Sequence, residues 1–340
     1  MGSVFYHYTD TQAFAGIVEN AALWATDFRY LNDSLELRYT WDPFVARLRQ
    51  LSSEPEPGEY SEAYDAQLKA LDLMESTDLM GFDDSVFVAC FTELRDAVSQ
   101  WSRYGANGHG IALGFDSERI QALDVPYFHH APGGHLVPVM AWVAEPPPAD
   151  LPEGQAPPAP TRQEHMTWPA LLQKVSYGDA ERDRLVDNLV YVVERSGDKN
   201  GVGSFDGKVA NLIFRTHAHV QWLPLVKHAA FEDEQEHRLT ITEHFGGRTL
   251  MQRRALGTLG QPFSDFAQGT LDTVDVRFRS GGPMLFKPYV SLPFDHAALV
   301  EVVTGPAIKD QLVEPTIRRI LDRNGFRDTT IHASELPYQT

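Results

Sequence analysis

Apolar residues along this 340-residue chain recur in runs and periods that define most of its regular elements. Val4 to Tyr8 is a β-branched and aromatic run of strand length, followed by Asp10 and Thr11 as helix N-cap candidates. Phe14, Ile17, Val18 and Ala21 then fall at i, i+3, i+4 and i+7, the spacing of one buried helix face, and Leu23-Trp24-Ala25 resumes an extended pattern. The opening unit is therefore strand, short helix, strand. Asp33 is placed to cap a second helix that carries Phe44, Leu48 and Leu51 and stops before the Ser, Glu, Pro and Gly stretch from Ser52 to Gly58. Val86 to Phe91 and Ile111 to Phe115 are continuous apolar runs of strand length. Leu185, Leu189, Val192 and Val193 mark a further helix, and Val209, Leu212, Ile213 and Val220 another. Short strand-like runs follow at Arg238 to Thr242, Val274 to Phe278, Leu285 to Leu292 and Leu299 to Val303. Val313, Ile317, Ile320 and Leu321 share one face of a last helix, before an extended Thr329 to His332.

Helices gathered between groups of strands, without regular strand–helix alternation, predict an α+β fold with a mixed or antiparallel sheet core and flanking helices. From Glu145 to Pro160 the chain reads EPPPADLPEGQAPPAP, which sustains neither a helix nor an inner strand, because proline removes donors and fixes φ. We read residues 1–340 as a single α+β domain carrying this stretch, near 145–160, as an exposed insertion.

Composition narrows the function classes. A formal net charge of −18 and a pI near 5.1 argue against holding nucleic acid by phosphate neutralisation and against adsorption to an anionic membrane. Cys90 is the single cysteine, so no intrachain disulfide and no cysteine-rich metal cage can form. Met1 to His7 lacks the basic start and apolar run of a signal peptide, and no stretch approaches a membrane span, so the expected compartment is the cytoplasm.

The P-loop, the dinucleotide-binding glycine pattern, the nucleophile elbow and the zincin helix motif are all missing. Gly105 to Gly110 is glycine-rich but lacks the P-loop lysine, and reads as a turn before the Ile111 strand. His217 and His219 lack a nearby third ligand, so no metal site is expected. Cys90, inside an apolar run, reads as packing rather than as a nucleophile. Three places remain. His7 sits in the first strand between Tyr6 and Tyr8, able to donate to a sugar hydroxyl or, alternatively, to bond backbone. Trp101 and Tyr104, three apart on one helical turn, form either an aromatic sandwich for a flat heterocycle or part of the core. Glu234, Glu236 and Arg238 alternate, so an extended segment projects all three to one side; two such carboxylates repel and raise a pKa unless Arg238 offsets them. The competing reading is a solvated acidic turn.

The order of the short motifs is recognisable. Tyr6-His7-Tyr8-Thr9, Asn32-Asp33 with Glu36, Cys90-Phe91-Thr92, Gln100 to Gly105, Gly110 to Asp116, Lys227 leading to Glu234 through Arg238, Val302 to Pro306 and Ser334 with Pro337-Tyr338 together resemble the bacterial domain-of-unknown-function family 2971 over nearly the whole chain except the proline-rich insert. The opening Tyr-His-x-Thr strand, short helix and Leu-Trp strand are similar to the start of DarT-like toxins and other ADP-ribosyltransferases. That second resemblance implies an ADP-ribosyltransferase-like fold and an NAD-dependent enzyme, a toxin or defence effector, with NAD as substrate and no metal. It implies that His7, with Tyr8 and Thr9, holds the nicotinamide-side ribose, that Tyr104 stacks on nicotinamide beside Trp101, and that Glu236 binds the ribose 2′-hydroxyl. By analogy with Glu-x-Glu members, Glu234, with Arg238, faces an acceptor, a protein or nucleic acid whose identity the resemblance does not supply. This chain departs from those members in carrying His7 where they usually carry an early Arg.

The reaction so implied is cleavage of the nicotinamide–ribose bond and transfer of ADP-ribose to a macromolecule. A NAD glycohydrolase, a metal-independent RNA nuclease using His7 and a carboxylate, and a non-catalytic ligand-binding module stand beside it.

If Glu145 to Pro160 is an exposed insertion, replacing it with a short Gly/Ser linker leaves cooperative unfolding intact, because a proline-rich segment contributes little buried area. Loss of a cooperative transition in denaturant would show that it packs on the core.

Overall fold

The computed structural model describes residues 2–31, 36–54, 56, 58–76, 85–130, 135–143, 162–197, 222–245, 272–281 and 284–337. Its first strand, β1 (Val4–Thr9), ends where the Asp10 carboxylate accepts from the Ala13 amide at 2.7 Å, capping α1 (Thr11–Asn20) as the sequence predicts. Phe14, Ile17 and Val18 of α1 are buried against the sheet. Ala21, in left-handed backbone at φ 45°, turns the chain into β2 (Ala22–Asp27). Two helices follow, α2 (Glu36–Ser52) and α3 (Ser61–Ser76). The apolar runs then form β3 (Val86–Thr92) and β4 (Ile111–Asp116), joined through α4 (Val98–Arg103) and a tight turn at Ala106–Gly108. Asp33, the expected cap of α2, lies outside the described residues, as does Asn32.

The middle of the chain holds more strand than its periodicity indicates. β5 (Ala122–His130), β6 (Leu136–Pro138), β7 (Met140–Val143), β8 (Arg162–His165) and β9 (Thr167–Lys174) precede the short β10 (Ser176–Tyr177) and the helix α5 (Asp179–Gly197). β7 pairs with β8, so the segments on either side of the proline-rich stretch meet in an antiparallel ladder; the stretch itself lies outside the described residues, as do His217, His219 and the helix predicted from Val209 to Val220. β11 (Val226–Lys227) leads through a 3-10 turn at Ala229–Glu234 to β12 (Glu236–Thr242) and β13 (His244–Phe245). β14 (Asp272–Val274), β15 (Val276–Gly281), β16 (Met284–Pro293), β17 (Leu299–Thr304), α6 (Val313–Arg323) and β18 (Thr330–Ala333) complete the chain.

The architecture is α+β, with a mixed, mostly antiparallel sheet whose main path runs β13-β14-β5-β9-β12-β3-β1-β4-β17-β18. β17 and β18 run parallel. One junction shapes the rest. β12 pairs along the whole of β3, from Glu236 opposite Thr92 to Thr242 opposite Val86. The other edge of β3 is shared: Thr92 pairs with Tyr6 of β1, while Val88 and Phe87 pair with Thr26 and Asp27 of β2. β1 and β2 therefore part from each other along β3, and the sheet is split there, with β16 and β15 continuing from β2.

One face of the sheet carries the main apolar core, in which Phe87, Ala89 and Phe91 of β3 and Leu239 and Ile241 of β12 meet α1 and the buried Ile317 and Leu321 of α6. Helices α2, α3 and α5 share a second core built on Phe44, Leu48, Tyr64, Leu185, Leu189 and Val193. Tyr6, Tyr8 and Trp101 form a third under α4. Among the described residues no helix is long and apolar enough to cross a membrane.

Gly110 closes the turn between α4 and β4: its amide donates to the Gly105 carbonyl at 2.9 Å and its carbonyl accepts from Gly305 at 3.0 Å. A Cβ there would meet the Thr9 carbonyl oxygen and the Gly105 backbone, neither of which can rotate away. Gly110→Ala is expected to lower stability by about 1–3 kcal/mol in denaturant titration, the range for overpacking.

Candidate functional site

Because successive side chains of a strand alternate between faces, the register of the split sheet collects a specific set of residues opposite the apolar core. Glu236 and Arg238 of β12 lie opposite Thr92 and Cys90 of β3; Val88 lies opposite Thr26 of β2, Thr26 opposite Tyr289 of β16, and Lys287 of β16 opposite Arg279 of β15. All of these except Tyr289 line a cavity of about 720 Å³ whose lining also includes His7, Tyr104, Lys227, Glu234 and Glu36. A volume of this order suits a small-molecule ligand.

A buried ionic network closes one end. Lys227 donates from Nζ to Glu234 at 2.7 Å and to Glu236 at 3.0 Å. Arg238 donates to Glu236 from Nε at 2.8 Å and from Nη2 at 3.0 Å, and bonds Glu36 at the start of α2 and the Pro224 carbonyl with Nη1. Lys227, Glu234, Glu236 and Arg238 are each 5% exposed or less, so the acidic stretch is not a solvated turn. Burial works against the Glu236 carboxylate, yet Arg238 and then Lys227 outweigh it and hold the carboxyl at about 2, far below the usual range. Burial likewise opposes the Lys227 charge, and Glu236 above all carries it above its ordinary value. The Cys90 thiol lies beside Glu236; burial first, and that carboxylate second, push it well up, so it stays protonated.

The alternation of Glu234, Glu236 and Arg238 along a single strand is not what brings them together. Glu234 ends the 3-10 turn, Gln235 is left-handed at φ 45°, and β12 starts at Glu236. Convergence comes instead from Lys227, which bridges the turn and the strand. The repulsion expected between the two glutamates is offset by two cations, of which the sequence reading considered one. Glu234 and Arg238, expected on an acceptor side, line the same cavity and are 2% and 1% exposed.

His7 occupies the opening of the split. With β1 and β3 parting beyond Tyr6 and Thr92, the Cys90 carbonyl bonds the His7 ring, Nδ1 to oxygen, at 2.9 Å. A carbonyl accepts, so Nδ1 carries the hydrogen, and burial lowers the pKa of the ring, leaving Nε2 as an acceptor. The donor role expected of His7 is thus reversed: the neutral ring offers an acceptor nitrogen. Thr9 and Tyr8 also line the cavity, but the Tyr8 hydroxyl is committed to the Leu94 carbonyl at 3.0 Å.

Trp101 and Tyr104 do not form a sandwich. Trp101 is fully buried, packs edge-on against Tyr8 at 4.6 Å and donates Nε1 to Asp96 at 2.6 Å. Tyr104 is the C-cap of α4, and its φ of −122° takes it off the helical path. Its ring reaches the cavity, where the hydroxyl donates to Glu234 at 2.8 Å and Arg103 joins the same oxygen at 3.0 Å. Lys227, Glu36, Arg103, Arg279 and Lys287 are site residues that reasoning from local spacing did not select. Lys227, Glu36 and Arg103 stood inside recognised motifs, whereas nothing around the two β15–β16 cations marked them. Among the described residues no group of His, Cys, Asp or Glu could hold a metal ion.

A family model described as a protein of unknown function, DUF2971, matches residues 100–239, which include Tyr104, Lys227, Glu234, Glu236 and Arg238 and exclude the strand of His7. Nothing among curated proteins or solved structures matches the chain.

The network sets an acid limit on stability. Glu236 is depressed in the fold, so its contribution is complete above the ordinary 4.5 and is lost as pH falls towards about 2. Urea unfolding between pH 5 and pH 2 should reveal a loss on the order of 3 kcal/mol that Glu236→Gln flattens. Arg238→Ala, which strands two buried carboxylates, should cost about 3–5 kcal/mol at neutral pH.

Proposed function

We propose that this chain, whose residues 100–239 belong to the DUF2971 family, is an ADP-ribosyltransferase-like enzyme that binds NAD in the cavity of the split sheet. The observation that carries the reading is the meeting of His7, Tyr104 and Glu236 on that one cavity, from three segments far apart in the chain. A first strand bearing His7 and a late strand bearing Glu236, both paired to β3, support the ADP-ribosyltransferase-like fold that the opening of the chain resembles.

In this reading Tyr104 packs against nicotinamide, held in place by its bond to Glu234, and His7 Nε2 accepts from a ribose hydroxyl. Glu236, ionised throughout the physiological range, stabilises the positive charge that develops on the ribose as the glycosidic bond lengthens. The bonding pair leaves with nicotinamide and neutralises its ring charge; the acceptor bonds to the anomeric carbon and loses its proton to solvent water. A carboxylate this acidic suits electrostatic stabilisation and is a poor general base. NAD, the acceptor and a cytoplasmic toxin or defence role belong to this proposal.

One observation favours a second reading. Glu236 already accepts three charge-assisted bonds from Arg238 and Lys227, which spends much of its charge within the protein. A cavity so neutralised fits a NAD-binding module without turnover.

Thermal-shift titration and nicotinamide release separate the two. Saturating NAD at ~100 times its Kd should add about 2.7 kcal/mol to stability in either case. The enzyme releases nicotinamide, and Glu236→Gln lowers that release by roughly 10² or more, while Tyr104→Phe, which keeps the ring, stays within about tenfold of wild type. Release unaffected by Glu236→Gln ends the mechanism, and binding without release selects the module.

A further inference from the structure

The end of the cavity away from the ionic network is built from the strands that continue the split sheet beyond β2, and its charge is not balanced. Arg279 of β15 sits directly opposite Lys287 of β16, and Tyr289 of β16 sits opposite Thr26 of β2, so both cations and Thr26 share the cavity face. Like charges directly opposite on neighbouring strands repel. Neither forms an ion pair with a described residue: Arg279 donates from Nη2 to the Thr26 hydroxyl at 2.8 Å, and Lys287 reaches the Tyr30 carbonyl at 3.4 Å. The Nε of Arg279 is buried and has no hydrogen-bond partner. Burial disfavours its charge, and the carboxylate that opposes this, Asp10, spends an oxygen capping α1. The guanidinium carbon of Arg279 lies 5.3 Å from the centre of the Trp24 ring, within cation–π range.

A half-buried guanidinium with an unused N–H, within cation–π reach of an indole and set beside a second cation, is poised for an anion. On a chain of net charge −18 such an excess of cations does not arise from composition. The planar fork of Arg279 suits two oxygens of one tetrahedral group, and the Lys287 ammonium suits a neighbouring charge. We infer that Arg279 and Lys287 form an anion subsite that takes a phosphate or diphosphate group, at the opposite end of the cavity from the carboxylates. Resting on the reading of the cavity as a NAD site, the group is the dinucleotide's diphosphate. The ligand then lies along the split sheet with its anionic middle on β15–β16 and its nicotinamide ribose between His7 and Glu236.

Calorimetric titration of the full chain with inorganic pyrophosphate, NAD and nicotinamide riboside, which keeps the reacting end but lacks the diphosphate, tests this. Arg279→Gln and Lys287→Gln are compared with wild type after thermal unfolding has confirmed that each folds; Lys287→Gln gives up only a 3.4 Å bond and leaves the sheet intact. Each substitution is expected to weaken pyrophosphate and NAD by about tenfold or more and to leave nicotinamide riboside unchanged, with NAD affinity in wild type falling as salt rises. NAD affinity unchanged in both variants overturns the subsite while leaving the NAD reading standing. Pyrophosphate held through the two cations, without NAD binding, supports the subsite and removes that reading. Failure of wild type to bind either phosphate compound overturns the subsite.

Discussion

The guanidinium of Arg238, enclosed between β12 and the first turn of α2, is the charge around which the polar half of this fold is arranged. An isolated buried cation costs several kcal/mol, so it is tolerated where carboxylates and carbonyls reach it with good geometry. Glu236 supplies one carboxylate from the same strand, Glu36 another from α2, and the Pro224 carbonyl a third contact from the turn before β11. The helical layer of α2, α3 and α5 is therefore tied to the sheet by charge, while its own cohesion comes from Phe44, Leu48, Leu185 and their neighbours. Lys227 extends the arrangement to Glu234, and through Glu234 to Tyr104 and Arg103.

Stability does not account for such a network. An apolar cluster of the same shape is often as stable as a buried ion pair or more so, whereas loss of one partner is costly. On the proposed reading, its presence on the wall of a cavity answers the need for a fixed, permanently ionised carboxylate facing a ligand. This is the physical support for the proposed role of Glu236, and the reason the degree of its neutralisation decides between turnover and binding alone.

The split between β1 and β2 creates the space that the network lines. A strand edge shared by two partners leaves a carbonyl out of the ladder where they part, and an unpaired buried carbonyl is costly. His7 answers that need at Cys90, and in doing so becomes a neutral ring with its free nitrogen as acceptor. One structural bond thus sets the chemistry that His7 offers.

The elements themselves were largely legible in the sequence, because helix and strand periodicity are local. β1, α1 with its Asp10 cap, β3, β4 and α6 lie where runs and spacing put them. The strands between Ala122 and Lys174 were not, since short exposed ladders such as β8 carry little apolar pattern. His7, Tyr104 and Glu236 were singled out by residue type and by motif order, but which side chains would meet was a matter of register and turns. Trp101 and Tyr104 share a spacing, yet a change of backbone at the end of α4 sends one ring into the core and the other to the cavity. Glu234 and Glu236 converge because Lys227 draws a turn against a strand. Arg279 and Lys287 reach the same cavity because β16 pairs with the edge of β2 away from β3, a contact between residues more than two hundred and fifty positions apart. Sequence alone determined what each segment could become; pairing between distant strands decided which charges would be buried together, because burial and opposition are properties of the assembled sheet.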